Sequence, residues 1–245
     1  MSEIVTAGIL VIGDEILSGR TKDKNIGFIA EYLTNIGIDL KEVRIVADDE
    51  ADIVAALDAL RGRYTYVFTT GGIGPTHDDI TADSVAKAFG VGIDHHPEVV
   101  ARFKERFKNP GELNEARLRM ARIPDGAELI QSATIMAPGF KIGNVIVMAG
   151  VPSIMQAMMD IVAPKLKSGV KMLSETVRAN AREGDIGTPL GEIAKAHPEV
   201  IIGSYPFFDG QGPNTNIVVR ARDAQKLAAA KMAVDDMLLQ IRQAG

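Results

Sequence analysis

The chain has no cysteine and no tryptophan, and only 5% of its 245 residues are aromatic. Without cysteine there can be no disulfide, thiol nucleophile or zinc–thiolate centre, which agrees with a reducing cytosol. So few rings argue against stacking platforms for single-stranded nucleic acid. No secretory leader precedes Ile4 and no apolar run is long enough to span a bilayer, so a cytoplasmic protein without membrane contact is expected. Neither sign of charge dominates: 27 basic against 32 acidic residues leave −5, too little to mark nucleic acid or an acidic membrane as partner. Low-complexity segments and internal repeats are also missing. What remains is an ordinary globular composition, 46% hydrophobic and 24% charged, on a chain long enough for one large domain or two modest ones.

The periodicities lay out the first two thirds. Ile4 to Ile12 is nearly all apolar, as a strand covered on both faces should be. It ends at Gly13-Asp14-Glu15, a carboxylate-bearing loop. After Asp23 and Asn25, apolar residues at Ile26, Ile29, Ala30, Leu33 and Ile36 follow the helical period, and Gly37 stops it. Leu40 to Ala47 reads as the next strand, with Asp49 as N-cap of a helix carrying Ile53, Leu57 and Leu60. Tyr64 to Thr70 is a third strand, and Thr81 to Phe89 a helix closed by Gly90. Repeated β-α units with right-handed crossovers give a parallel sheet with helices on both faces.

Pro97–Lys108 and Asn114–Met120 read as helices in a polar stretch with seven basic residues from Arg102 to Arg122. These form either a solvated face or a cationic flap over an anionic ligand. His77, His95 and His96 lack the spacing of a zinc site. Ala127–Ile130, Phe140–Ile142 and Val145–Ala149 read as strands. The Gly143-Asn144 turn makes the last two a hairpin, so the sheet should be mixed. A methionine-rich helix opens at Gly150-Val151-Pro152 and runs to Leu166. A boundary at Ser168-Gly169 divides domains 1–168 and 169–245. The second reads β-α-β-β-α: strands Met172–Ala179, Val200–Tyr205 and Ile217–Ala221, helices Leu190–Ala196 and Asp223–Ile241. It carries nine basic and nine acidic residues, a balance of zero.

The stretch Thr69-Thr70-Gly71-Gly72-Ile73-Gly74-Pro75-Thr76-His77-Asp78-Asp79-Ile80-Thr81 is a strand-to-helix turn at the C-terminal edge of the sheet, where open α/β folds bind ligands. Its glycines let the backbone approach a ligand and aim N–H groups at an anion, and the helix behind adds about half a positive charge. The same spacing also serves a plain turn with Asp79 or Thr81 as N-cap.

Gly13-Asp14-Glu15-Ile16-Leu17-Ser18-Gly19, then Asp23 and Asn25, then Thr70 to Thr81, resemble the CinA (competence/damage-inducible protein A) family. They look like its molybdopterin-binding-type domain, shared more distantly with MoaB/MogA proteins and gephyrin. Ala137-Pro138-Gly139-Phe140 and Gly150-Val151-Pro152 are similar to its later loops, and Ser204-Tyr205-Pro206-Phe207 to its KH-type small domain. The resemblance implies a three-layer α/β/α sandwich with a mostly parallel mixed sheet, followed by a small α+β domain. It also implies a homo-oligomer, and the amidohydrolase domain that ends long CinA proteins is expected to be absent. The chain departs from the family pattern at Lys24, Ile135, Ala149 and Ile154.

The resemblance further implies a site for a nucleotide or molybdopterin, with metal-dependent pyrophosphate hydrolysis of an adenine dinucleotide (ADP-ribose or FAD). The alternative is a non-catalytic molybdopterin- or nucleotide-binding protein. Thr70, Gly71, Gly72, Gly74, Thr76, Thr81, Gly13, Gly150 and Pro152 are the expected ligand and phosphate contacts. Asp14, Asp48 and Asp79 are the expected catalytic residues. With Asp78 ranked below them, they would hold a hard divalent cation such as Mg²⁺. Glu15 is a candidate general base.

Overall fold

The structure, a computed structural model, describes residues 4–132, 134–210 and 212–244. Contacts divide it into two compact units, 1–169 and 170–245. The first unit begins with β1 (Val5–Ile12), a short helix α1 (Asp14–Leu17), α2 (Asn25–Asn35) and β2 (Ile38–Val46). α3 (Glu50–Arg61), β3 (Tyr66–Thr70) and α4 (Thr81–Phe89) follow. Next come β4 (Ile93–His95), α5 (Pro97–Arg106), α6 (Glu115–Arg119) and β5 (Arg122–Pro124). The unit closes with β6 (Glu128–Ile130), β7 (Gly139–Ile142), β8 (Val145–Met148) and α7 (Pro152–Val162).

Six strands form one sheet in the order β2-β1-β3-β8-β7-β6. β2, β1, β3 and β8 run parallel, while β7 is antiparallel to both neighbours, so the sheet is mixed as the hairpin requires. Alternation along β1 builds the three layers. Val5, Ala7, Ile9 and Val11 face one core with Ile29 and Leu33 of α2 and Met155, Met158 and Met159 of α7. Leu10 and Ile12 face the other, with Ile53, Leu57 and Leu60 of α3 and Val85 of α4. The methionines are therefore core residues, and burying so many apolar side chains on both faces fixes the register of the parallel strands.

Several boundaries differ from expectation. The residues after Gly13 form α1 instead of an open loop. α7 ends at Val162 and passes into a 3₁₀ turn at Ala163–Lys165, because Pro164 cannot continue the hydrogen-bond ladder. β4 and β5, three residues each and unforeseen, pair antiparallel and flank α5 and α6.

The second unit contains β9 (Leu173–Arg178), α8 (Glu183–Ala196), β10 (Ile201–Asp209), β11 (Gly212–Ala221) and α9 (Ala224–Ala244). The strands form an antiparallel sheet ordered β10-β11-β9. Ile217 and Val219 of β11 pack with Ile186 and Leu190 of α8 and with Leu227 and Val234 of α9. α8 begins seven residues before the expected helix and takes in Gly184, Gly187 and Pro189. Burial of Ile186 (fully) and Leu190 outweighs the poor helix propensity of those residues. The Gly184-Asp185-Ile186-Gly187 spacing is consequently helical and is not an exposed nucleic-acid-clamping loop.

Candidate functional site

Because β1, β2, β3 and β8 are parallel, the segments leaving them share one rim of the first unit. At the first, the Gly13 amide donates to the Val46 carbonyl and α1 starts at Asp14. The Asp14 amide donates to Oδ2 of Asp48 at 2.9 Å, joining the ends of β1 and β2. Burial pushes the Asp48 carboxyl above the usual carboxylate range, the Asp14 amide partly opposes this, and the charges of Asp14, Glu15 and Asp78 add to it. Asp49, next in the chain, caps α3 by accepting from the amides of Ala51 and Asp52.

The glycine loop after β3 is shaped by close approach. Gly71 has φ +102°, and a Cβ there would lie 2.1 Å from the Ile12 carbonyl oxygen. Gly72 has φ +65°, and a Cβ would lie 2.1 Å from Oγ1 of Thr81. Only glycine meets both conditions at either position. Thr81 is wholly buried: its hydroxyl donates to the Gly71 carbonyl and its amide to the Gly72 carbonyl, both at 3.0 Å. In a planar trans peptide the N–H points opposite the C=O. The amides of Gly72 and Ile73 are therefore turned away from Thr81, and neither donates to a protein acceptor among the described residues. Two adjacent backbone donors from consecutive positive-φ glycines are thus left without a protein acceptor among the described residues. Thr81, expected as a ligand contact, is instead buried behind these two peptides and holds their carbonyls.

Asp79 is also occupied within its own loop. Its Oδ2 accepts from the amide of Thr76 at 2.8 Å and from the Thr76 hydroxyl, and it lies where a Cβ on Gly74 would have to go. Thr76 and Gly74 therefore belong to the loop's internal scaffold. Nε of Arg119 donates to the Asp79 carbonyl, so one residue of the basic stretch reaches this loop. Arg102, by contrast, braces the backbone at Ser132 and Ile135, and Lys104 and Arg106 are exposed. The four expected metal ligands are not assembled. Asp48 meets the backbone amide of Asp14, the carboxyls of Asp14 and Asp78 bear on it only through their charge, and Asp79 is turned into its loop. Among the described residues no group of three or more His, Asp or Glu side chains is arranged to hold a metal ion. This donor set does not fit a cation caged by protein alone. It fits one that arrives with a phosphorylated ligand, as Mg²⁺ does when one or two carboxylates and substrate phosphates share it.

The loop after β8 completes the rim. A Cβ on Gly150 would lie 3.3 Å from Cα of Gly71, and Pro152 opens α7. Oδ1 of Asp23 accepts from the Ile26 amide at the start of α2. Nδ2 of Asn25 donates to the Gly150 carbonyl at 2.8 Å and ties α2 to this third loop. Between them lies a cavity of about 260 Å³ with Val11, Ile12, Ile16, Asn25, Thr70 and Pro152 in its walls. The tie from Asn25 could not be read in the sequence, since it spans 125 positions. Its one local trace is an asparagine at the first turn of a helix.

Residues 8–168 match the family model described as a probable molybdopterin binding domain, and residues 171–242 match FAD synthase, middle domain. The second unit thus matches a FAD synthase model where the resemblance implies a KH-type domain. A protein of Archaeoglobus fulgidus is 30% identical over 94% of this chain and 96% of its own length. A Caenorhabditis elegans relative named probable FAD synthase is 30% identical over 97% of this chain but 51% of its own length, so the chain spans about half of it. Among solved structures, the protein CinA of unknown function from Thermoplasma acidophilum is 31% identical, with a TM-score of 0.62, over 66% of this chain and 98% of that one.

Proposed function

The chain belongs, through residues 8–168, to the probable molybdopterin-binding domain family, and from that premise we propose that its rim binds an adenine dinucleotide such as FAD or ADP-ribose and hydrolyses the pyrophosphate. The observation that carries this reading is the pair of unpartnered amides at Gly72 and Ile73, held by Thr81 on the same rim as the Asp14 amide–Asp48 carboxylate contact. The amides bind a phosphate through charge-assisted hydrogen bonds. Asp14 and Asp48 are the residues that would hold a divalent cation that enters with the diphosphate and would supply charge neutralisation on the phosphate oxygens. Glu15 accepts a proton from the attacking water. The water oxygen bonds to one phosphorus, the bridging P–O bond breaks, and the other phosphate leaves with the bridging oxygen. FAD would give FMN and AMP, and ADP-ribose would give AMP and ribose phosphate. The match of residues 171–242 to a FAD synthase domain, and the relative named probable FAD synthase, support a flavin-adenine ligand. The orientation of Asp79 into its own loop favours the second reading, a protein that binds a molybdopterin or nucleotide without turnover.

The test is incubation of the purified chain with FAD, ADP-ribose and NAD, with Mg²⁺ or with EDTA, and chromatography of the products. AMP formed from FAD or ADP-ribose only when metal is present is expected. Binding without AMP would hand the site to the second reading, and neither binding nor AMP would remove both.

A further inference from the structure

The cavity between α2 and the loop after β8 has a chemistry that phosphate does not explain. Its wall includes Val11, Ile12, Ile16 and Pro152, which offer apolar surface. Of the polar side chains that also line it, two are buried among them, Asn25 and Thr70. Asn25 is 4% exposed; because Nδ2 is committed to the Gly150 carbonyl, the side chain is oriented and Oδ1 is the free end. Oδ1 is buried with no protein partner. Thr70 is 1% exposed, and its hydroxyl is likewise buried without a partner. An unpaired buried polar atom costs stability, so two in the wall of one cavity point to a ligand that supplies the missing bonds. The volume, about 260 Å³, lies just under the range of pockets that enclose a whole drug-sized ligand. It suits one ring system, with the exposed Lys22 and Lys24 in its wall, and leaves the diphosphate to the Gly72–Ile73 amides that follow Gly71 of the same wall.

We infer that this cavity is the base-recognition pocket of the dinucleotide site: a planar nitrogen heterocycle enters it, donating an N–H to Oδ1 of Asn25 and hydrogen-bonding the hydroxyl of Thr70 at a neighbouring position of the same ring edge. The adenine amino edge and the flavin imide edge both carry that pattern. The inference rests on the diphosphate reading above, and it assigns Thr70, expected among the ligand and phosphate contacts, to the ring together with Asn25.

Thr70→Val tests it, because valine keeps the shape and removes a hydroxyl with no protein partner. Full-length wild type and variant are titrated calorimetrically with ADP-ribose, FMN and inorganic pyrophosphate, and both are melted without ligand. The variant is expected to melt no lower than wild type and to bind pyrophosphate equally. It should lose about three- to tenfold in affinity for the ligand whose ring uses the pocket, the scale of one net hydrogen bond. Loss with ADP-ribose alone assigns adenine, and loss with FMN alone assigns the flavin. Unchanged affinity for both, or a clear fall in melting temperature, would overturn the inference while leaving the diphosphate site standing. Failure of wild type to bind any of the three would instead defeat the reading on which it rests.

Discussion

Thr81→Val separates the clamp behind the glycine loop from a mere helix start. Thr81 is wholly buried, and its hydroxyl donates to the Gly71 carbonyl at 3.0 Å while its amide holds Gly72. Valine opens no cavity and keeps the amide bond. It leaves the Gly71 carbonyl facing a methyl group, and the cost of one unsatisfied buried acceptor is about 1–3 kcal/mol. For a unit of this size, about 2 kcal/mol should lower the melting temperature by about 4–8 °C. The functional effect should be larger than a loss of stability explains. Once the Gly71 peptide is free to rotate, the Gly72 amide is no longer held turned away from Thr81, and a charge-assisted bond is weakened. Affinity for ADP-ribose or pyrophosphate should therefore fall about tenfold or more, measured well below the variant's melting temperature. Thr81→Ser keeps the hydroxyl and loses only a methyl, so it should destabilise by about 1 kcal/mol and bind almost normally. Equal binding by Thr81→Val and wild type, or equal loss in the serine and valine variants, would refute the clamp.

Gly71→Ala should prevent stable folding of the first unit, since its Cβ would lie 2.1 Å from the Ile12 carbonyl oxygen at φ +102°; native-like circular dichroism and melting would contradict this. Asp48→Asn should raise the melting temperature at pH 7 while abolishing turnover. The folded pKa of Asp48 is raised, so ionisation disfavours the fold and its stability is lost as pH rises through that value. The difference should vanish below about pH 3.5, where the carboxyl is protonated in both states; a lower melting temperature at pH 7 would contradict the sign. Asp79→Asn keeps an acceptor for Thr76 and should reduce turnover less than Asp48→Asn does; the reverse order in matched assays would return Asp79 to the catalytic set. Single-stranded RNA should not bind the chain in a salt-dependent way, because the Gly184–Gly187 segment is helical and residues 171–245 balance nine basic with nine acidic groups; a micromolar, salt-sensitive complex would contradict this.

The parallel core was legible because strands buried on both faces leave continuous apolar runs and their helices keep a regular period, as in Ile4–Ile12 and Ile26–Ile36. The mixed edge was legible from Gly143-Asn144 alone. The start of α8 was not: Gly187 and Pro189 signal a break locally, and only packing of Ile186 against β11 and α9 overrules them. The site divides in the same way. Composition and spacing marked the glycine loop and its flanking acids as a rim. They could not distinguish Asp48, which meets the Asp14 amide, from Asp79, which accepts from Thr76 three positions away. Nor could they place Asn25 against Gly150, 125 positions distant. Such pairings depend on which rim a strand reaches, and that is decided by the topology of the whole sheet.

A co-crystal structure of the full chain with ADP-ribose and Mg²⁺ tests the central claim most directly. The account predicts diphosphate oxygens at about 3 Å from the amide nitrogens of Gly72 and Ile73, with the cation between the diphosphate and the Asp14–Asp48 pair. A diphosphate bound elsewhere on the chain, with those two amides free of it, would contradict the account.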